Sequence, residues 1–126
     1  MKSKLTYTGI RVRNLEDSIA FYTRFFGMRE TGRVTIAPTQ GTAAALVSEE
    51  GGPTLELNFY PEGSRFAVPY VPGESLDHLA FQVEDLDAFL REAKRQGIPV
   101  PLEMKTASSR WAYVEDPNGI WIEVFA

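Results

Sequence analysis

Glu123 sits between two aromatic residues in the segment Trp121-Ile122-Glu123-Val124-Phe125. The segment alternates, so Trp121, Glu123 and Phe125 share one face of a strand while Ile120, Ile122 and Val124 share the other. A carboxylate among aromatics is costly unless something pairs with it. Water pairs with it if the strand lies at a sheet edge; a cation pairs with it if the strand lines a site. Three other residues favour the cation: Glu56 in Leu55-Glu56-Leu57, His78 in the stretch 76–83, and Tyr7 in the stretch 5–12. Two carboxylates and an imidazole facing one another would repel or lose solvation without a cation between them. With one, they neutralise a divalent ion.

A repeat is what would bring these residues together. At an offset of 71, Leu5 meets Leu76, Tyr7 meets His78, Ile10 meets Phe81, Val12 meets Val83, Asn14 meets Asp85 and Ile19 meets Leu90. At an offset of 67, Leu55-Glu56-Leu57 meets Ile122-Glu123-Val124. This is an internal duplication. Glu56 and Glu123 are counterparts in the last strands of two modules; Tyr7 and His78 are counterparts in the first. If the modules pair about a pseudo-twofold axis, all four side chains converge on one cleft.

The elements that carry them can be read in order. Residues 5–12 predict a strand. Asn14 offers an N-cap, and Leu15, Ile19, Tyr22 and Phe26 mark one face of a helix that Gly27 closes. Strands are expected at 33–36, 42–47 and 54–60, with a turn at Glu49-Glu50-Gly51-Gly52-Pro53. Residues 61–75, rich in proline and glycine, form a linker or ordered loop. The pattern then returns: a strand over 76–83, Asp85 as N-cap, and a helix face of Leu86, Phe89, Leu90 and Ala93 ending at Gly97. Strands at 100–104, 110–115 and 120–125 complete the module. Asp116-Pro117-Asn118-Gly119 supplies turn chemistry before the last strand. The expectation is one domain over 1–126: module one at about 4–60, linker at about 61–75, and module two at about 76–126.

Composition narrows the classes. The chain has 126 residues, 44% hydrophobic, with a net charge of −4, which argues against a general nucleic-acid binder. No apolar run approaches a membrane span, and residues 1–5 lack a signal-peptide core, so a cytoplasmic protein without membrane partners is expected. With no cysteine, thiolate metal sites are excluded; with His78 as the sole histidine, a histidine-rich site within one chain is excluded too.

The chain resembles the vicinal oxygen chelate superfamily: glyoxalase I, bleomycin-resistance proteins, extradiol dioxygenases, fosfomycin-resistance proteins and methylmalonyl-CoA epimerase. The resemblance is carried by Gly9-Ile10-Arg11-Val12, by Ser18, Phe21-Tyr22 and Phe26-Gly27, by Leu55-Glu56-Leu57, by the strand from His78 to Val83, and by Glu115-Asp116-Pro117-Asn118-Gly119 leading to Glu123. It implies an α+β fold of two tandem βαβββ modules whose curved mixed sheets enclose a cleft, and a homodimer. Glyoxalase I is the nearest pattern. Its metal positions fall on Glu56, His78 and Glu123, and on Tyr7 as a departure. The resemblance therefore implies one divalent ion (Ni, Zn, Co, Mn or Fe) held by those three residues plus water, with Tyr7 bonding substrate or the ion's water.

The activity that the resemblance implies is that of a glyoxalase I-like lyase or isomerase, acting on a small molecule with vicinal oxygens. The ion holds the oxygens; Glu123, with Glu56 as its counterpart, moves a proton beside the carbonyl. Arg11 matches the glyoxalase arginine that contacts glutathione. Tyr60 stands where an asparagine is usual, a departure that leaves open whether glutathione is the thiol. Tyr7, Arg11, Tyr60 and Trp111 are the expected substrate-binding residues. Extradiol dioxygenases want two histidines and one carboxylate, and fosfomycin transferases and methylmalonyl-CoA epimerases also use two histidines. The rival is a metal-free, aromatic-lined binding protein of the bleomycin-resistance kind, built on residues such as Phe59, Tyr60, Phe66, Tyr70, Trp111, Tyr113 and Trp121.

Overall fold

The computed structural model describes residues 1–115 and 119–126. Its elements run β1 (Ser3–Arg11), α1 (Leu15–Phe26), β2 (Arg29–Ile36), β3 (Gly41–Val47), β4 (Thr54–Phe59), β5 (Leu76–Val83), α2 (Leu86–Arg95), β6 (Leu102–Lys105), β7 (Arg110–Glu115) and β8 (Trp121–Phe125). The order is βαβββ twice, the α+β arrangement that the repeat implies. The Asp116-Pro117-Asn118 part of the expected turn lies outside the described residues. Contacts divide the chain into two compact units, Thr8–Asp77 on the one hand and Met1–Tyr7 with His78–Ala126 on the other. Strand β1 contributes its first part to the second of these and its last part to the first.

In the unit 8–77 the strand order is β2-β3-β4, followed by the end of β1. β3 runs antiparallel to both neighbours, with Ala45 opposite Glu56 and Ala43 opposite Asn58. Helix α1 begins where Asn14, in extended conformation, accepts a hydrogen bond from the Asp17 amide at 2.9 Å. A cap of this kind is worth about 1 kcal/mol. The helix ends at Gly27, whose φ of 64° only glycine adopts cheaply. Val12, Ile19, Ala44, Leu46 and Leu57 form the core, with Leu15 and Tyr22 packed against it. Phe26 departs from the expected inward face. It lies 66% exposed at the last helical position, against Phe21 and Tyr22 instead of the sheet.

In the other unit the order is β1-β5-β8-β7-β6. β5 and β8 run parallel, and β7 pairs antiparallel with β8 and β6. Asp85 caps α2 by accepting from the Ala88 amide at 2.9 Å. The expected helix face is the buried one: Leu86, Leu90 and Ala93 join Val83, Ala112, Val114 and Val124 in one core, with Phe81, Phe89 and Ile122 packed on it. Because Ile122 and Val124 point into that core, the period of two directs Trp121, Glu123 and Phe125 to the opposite face of the sheet. Among the described residues, no helix is long and apolar enough to cross a membrane.

Candidate active site

β8 is an inner strand, between β5 and β7. Glu123 is therefore not the solvated carboxylate of a sheet edge. It lies opposite Ala80 on one side and Tyr113 on the other. Its side chain is 16% exposed. The Tyr7 hydroxyl donates to Glu123 Oε2 at 2.7 Å. The His78 Nε2 atom is 3.0 Å from the same hydroxyl and 3.5 Å from Glu123 Oε2. The tautomer of the His78 ring sets whether Nε2 gives or accepts this bond.

His78 is fully buried. Tyr7 and Tyr113 meet its ring edge-on, with centroids at 5.3 and 5.7 Å. Tyr113 in turn stacks on Trp121 at 5.4 Å and touches Trp111 at 5.2 Å. Trp111 and Tyr113 are two apart on β7 and Trp121 shares their face on β8, so the alternation that turns aliphatic residues inward builds an aromatic wall on the other face. A cavity of about 330 Å³ opens beside the trio, lined by Tyr7, Glu123, Trp111, Phe125, Ser109 and Arg110. Arg110 is held by both oxygens of Asp87, and its guanidinium keeps the Asp87 carboxyl below the usual range. Thr106 and Ser109 close the β6–β7 turn at the cavity rim with a 2.8 Å backbone bond.

The structure thus gathers Tyr7, His78, Glu123 and Trp111 in one unit. Glu56, Arg11 and Tyr60 belong to the other. There, Glu56 lies on β4 on the face away from Leu55 and Leu57. Asn58 shares that face, is 4% exposed, and its Nδ2 donor has no hydrogen-bond partner among the described residues. Tyr60, also buried, donates to Asp77 Oδ1 at 3.1 Å. Burial pushes its phenol well above the ordinary value, and the Asp77 charge adds to this. Arg11 donates to the Val68 carbonyl, and the Tyr70 ring faces the guanidinium groups of Arg11 and Arg13 at 5.7 and 5.0 Å. A cavity of about 460 Å³ is lined by Arg11, Arg13, Phe59, Tyr60 and Tyr70. Asp77 and the rim serines Ser108 and Ser109 are not evident from the sequence. A buried aspartate one residue before His78 is the available signal for the first; short polar turns carry no signal for the second.

Residues 4–124 match the family model of the glyoxalase/bleomycin resistance protein/dioxygenase superfamily. The chain belongs to this superfamily. Among its members, the lactoylglutathione lyase of Neisseria meningitidis serogroup B is 33% identical, over 95% of this chain and 88% of that protein. The lactoylglutathione lyase of Salmonella typhimurium is 31% identical, over 96% and 90%. Among solved structures, methylmalonyl-CoA epimerase from Mycobacterium tuberculosis superposes with a TM-score of 0.78 at 26% identity, covering 95% of this chain and 85% of that one. Superfamily membership thus carries the fold, while relatives with these two names point to different reactions.

Whether a divalent ion suits the residues present can be tested on their spacing. Two donors at about 2.1 Å from one ion stand roughly 3.0 Å apart at a right angle and roughly 3.4 Å apart at the tetrahedral angle. The His78 and Glu123 atoms, at 3.5 Å, meet the second spacing. An imidazole nitrogen beside a carboxylate oxygen is also a donor pair that first-row ions take. Among the described residues, no group of three His, Cys, Asp or Glu forms a metal-binding cluster, so this pair fits an ion only together with a donor of another kind or from elsewhere.

Proposed function

We propose that this protein is a divalent-metal-dependent, glyoxalase I-like lyase or isomerase that moves a proton beside a carbonyl in a small molecule with two neighbouring oxygens. The observation that carries the reading is the Tyr7–His78–Glu123 trio: Tyr7 and the half-buried Glu123 carboxylate border one cavity, and the buried His78 imidazole lies behind them within reach of the Tyr7 hydroxyl. His78 and Glu123 hold the ion, with Glu56 as the further carboxylate that the repeat assigns. The ion, when bound, supplies a Lewis acid for the substrate's oxygens.

The chain's own groups do the rest. Glu123 is the base, since its carboxylate borders the cavity and is kept in place by the Tyr7 hydroxyl. Glu56 is its counterpart in the first module. Trp111 and Phe125 wall the cavity and exclude water around the proton being moved, which strengthens each charge interaction there. Arg11 and Tyr60 are assigned to binding the substrate's remainder, Arg11 as the cation for an anionic group. The relatives named lactoylglutathione lyase support this reading. The likeness to an epimerase supports the broader class, because epimerisation also removes a proton beside a carbonyl.

The decisive experiment is calorimetric titration of chelator-treated protein with Ni²⁺ and Zn²⁺, followed by assays of 2-oxoaldehyde hemithioacetals made from several thiols. Binding near one ion per chain, with turnover of at least one hemithioacetal, is the expected outcome. Absence of binding, together with uptake of aromatic ligands by the unloaded protein, would transfer it to the metal-free binding proteins, a reading favoured by the Trp111–Tyr113–Trp121 wall.

A further inference from the structure

We propose that the outer face of α1 is a docking surface for a second copy of this chain, with two α1 helices packing antiparallel across a twofold axis at Phe21. This surface is independent of the metal and of the reaction proposed above. It lies on the helix side of the sheet in the unit 8–77, away from the face that carries Glu56 and Asn58.

Three observations carry it. The first is exposed aromatic surface. Successive helical residues turn by about 100°. Leu15, Ile19 and Tyr22 therefore meet the core, while Asp17, Phe21, Arg24 and Phe25 form a stripe on the opposite side. Phe21 is 48% exposed and Phe25 79%. Their rings stack at 5.5 Å, and Phe26 joins them 5.7 Å from Phe21. Three phenyl groups at these exposures offer roughly 400 Å² of apolar surface. An exposed patch of that size marks an interaction site. It is about half of what one partner buries in a standard interface, so the dimer is weak and forms at micromolar concentration or above.

The second is charge. The stripe starts at Asp17, in the acidic first turn, and runs to Arg24, in the last. Among the described residues neither of these side chains has a hydrogen bond or an ion pair, whereas the neighbouring Glu16 is taken up by Arg33. An acid at one end of a patch and a base at the other are complementary to themselves. Turned about a twofold axis, Asp17 of one copy comes beside Arg24 of the other, and the contact is made twice. The helix dipoles also lie antiparallel, which is their favourable arrangement. The third is register. Phe21 stands midway between Asp17 and Phe25, so pairing centred on it lays each copy's Phe25 over the other's Asp17-Ser18 turn. A cavity of about 380 Å³ opens at that turn, lined by Asn14, Asp17, Ser18, Phe21 and Tyr22. The ring of one copy has a hole to enter on the other.

The test is sedimentation equilibrium of the full chain from micromolar to millimolar concentration, where a reversible monomer–dimer equilibrium is expected. Phe25→Asp, at an exposed position outside the core, should raise the dissociation constant about tenfold or more. Asp17→Arg and Arg24→Asp should each weaken the dimer. Combining the two should restore it, because the ion pairs reform with their members exchanged. Circular dichroism checks that each variant is folded. A dimer that persists unchanged in Phe25→Asp would overturn the surface. A combined variant no tighter than either single change would overturn the antiparallel register. A chain that stays monomeric at millimolar concentration would overturn the dimer, whether or not the face binds phosphatidylglycerol vesicles instead.

Discussion

Glu56 and Glu123 occupy equivalent places in the last strands of two βαβββ modules, yet their surroundings differ. Each shares its strand with inward aliphatic residues, Leu55 and Leu57 in one case, Ile122 and Val124 in the other. Beyond that, the modules diverge. Glu123 is bonded to a tyrosine that also meets an imidazole, against a wall of stacked rings. Glu56 has on its face a buried asparagine with an orphaned donor. The lesson is that duplication preserves what the core needs and frees what the other face carries. A strand's two faces answer to different demands: packing constrains one to aliphatic residues of fixed volume, while the other is open to chemistry.

The comparison can be broken hardest at the shared feature. Leu57→Ala and Leu90→Ala each remove a buried leucine from the core of one unit. Each should cost about 2–5 kcal/mol, read by denaturant unfolding. Hydrogen exchange should locate the lost protection first in the altered unit; uniform loss in both units would show that the two cores open together.

It can be sharpened at the divergent feature. Glu123→Gln removes the carboxylate that Tyr7 bonds, and should weaken Ni²⁺ binding about 10–100-fold or more, by calorimetry. Glu56→Gln should do the same if the repeat-based assignment of Glu56 holds. A titration unchanged by Glu56→Gln and weakened by Glu123→Gln would confine the metal chemistry to the second module.

The smallest effect concerns surface charge. The hydrogen bond from Arg95, aided by Gln96, holds Glu92 down to about 2. Arg33 likewise lowers Glu30 in the other unit. A carboxylate depressed in the folded state adds stability above its unfolded value, about 4.3. That stability is lost as pH falls towards 2. Glu92→Gln should therefore flatten the acid side of a plot of melting temperature against pH, slightly, because the pair is exposed and screened by salt. An unchanged slope would assign acid sensitivity elsewhere.

Much of the fold was legible in the chain. Asn14, Gly27 and Asp85 act as the caps that their types suggest, and the α2 core face has the spacing read from it. The repeat placed His78 on a first strand and Glu123 on a last strand, and the structure brings both to the Tyr7 hydroxyl, with Tyr7 and Glu123 at one cavity. What escaped the sequence has physical causes. Phe26 has helical spacing, but spacing does not say where the sheet stops covering the helix. Glu123 reads equally as an edge carboxylate, because strand order across a module depends on long-range pairing that no local pattern encodes. Tyr7 differs from the expected ligand type; that its hydroxyl meets both His78 and Glu123 depends on strand pairing that no local pattern encodes.

His78 is the single histidine of the chain, and it is buried at the heart of the trio. The protein therefore carries its own isotopic reporter. In a nitrogen-15 spectrum, every imidazole signal comes from this one ring, with no assignment needed. Its two nitrogen shifts read out the tautomer, the arrival of an ion and the approach of a substrate in one sample.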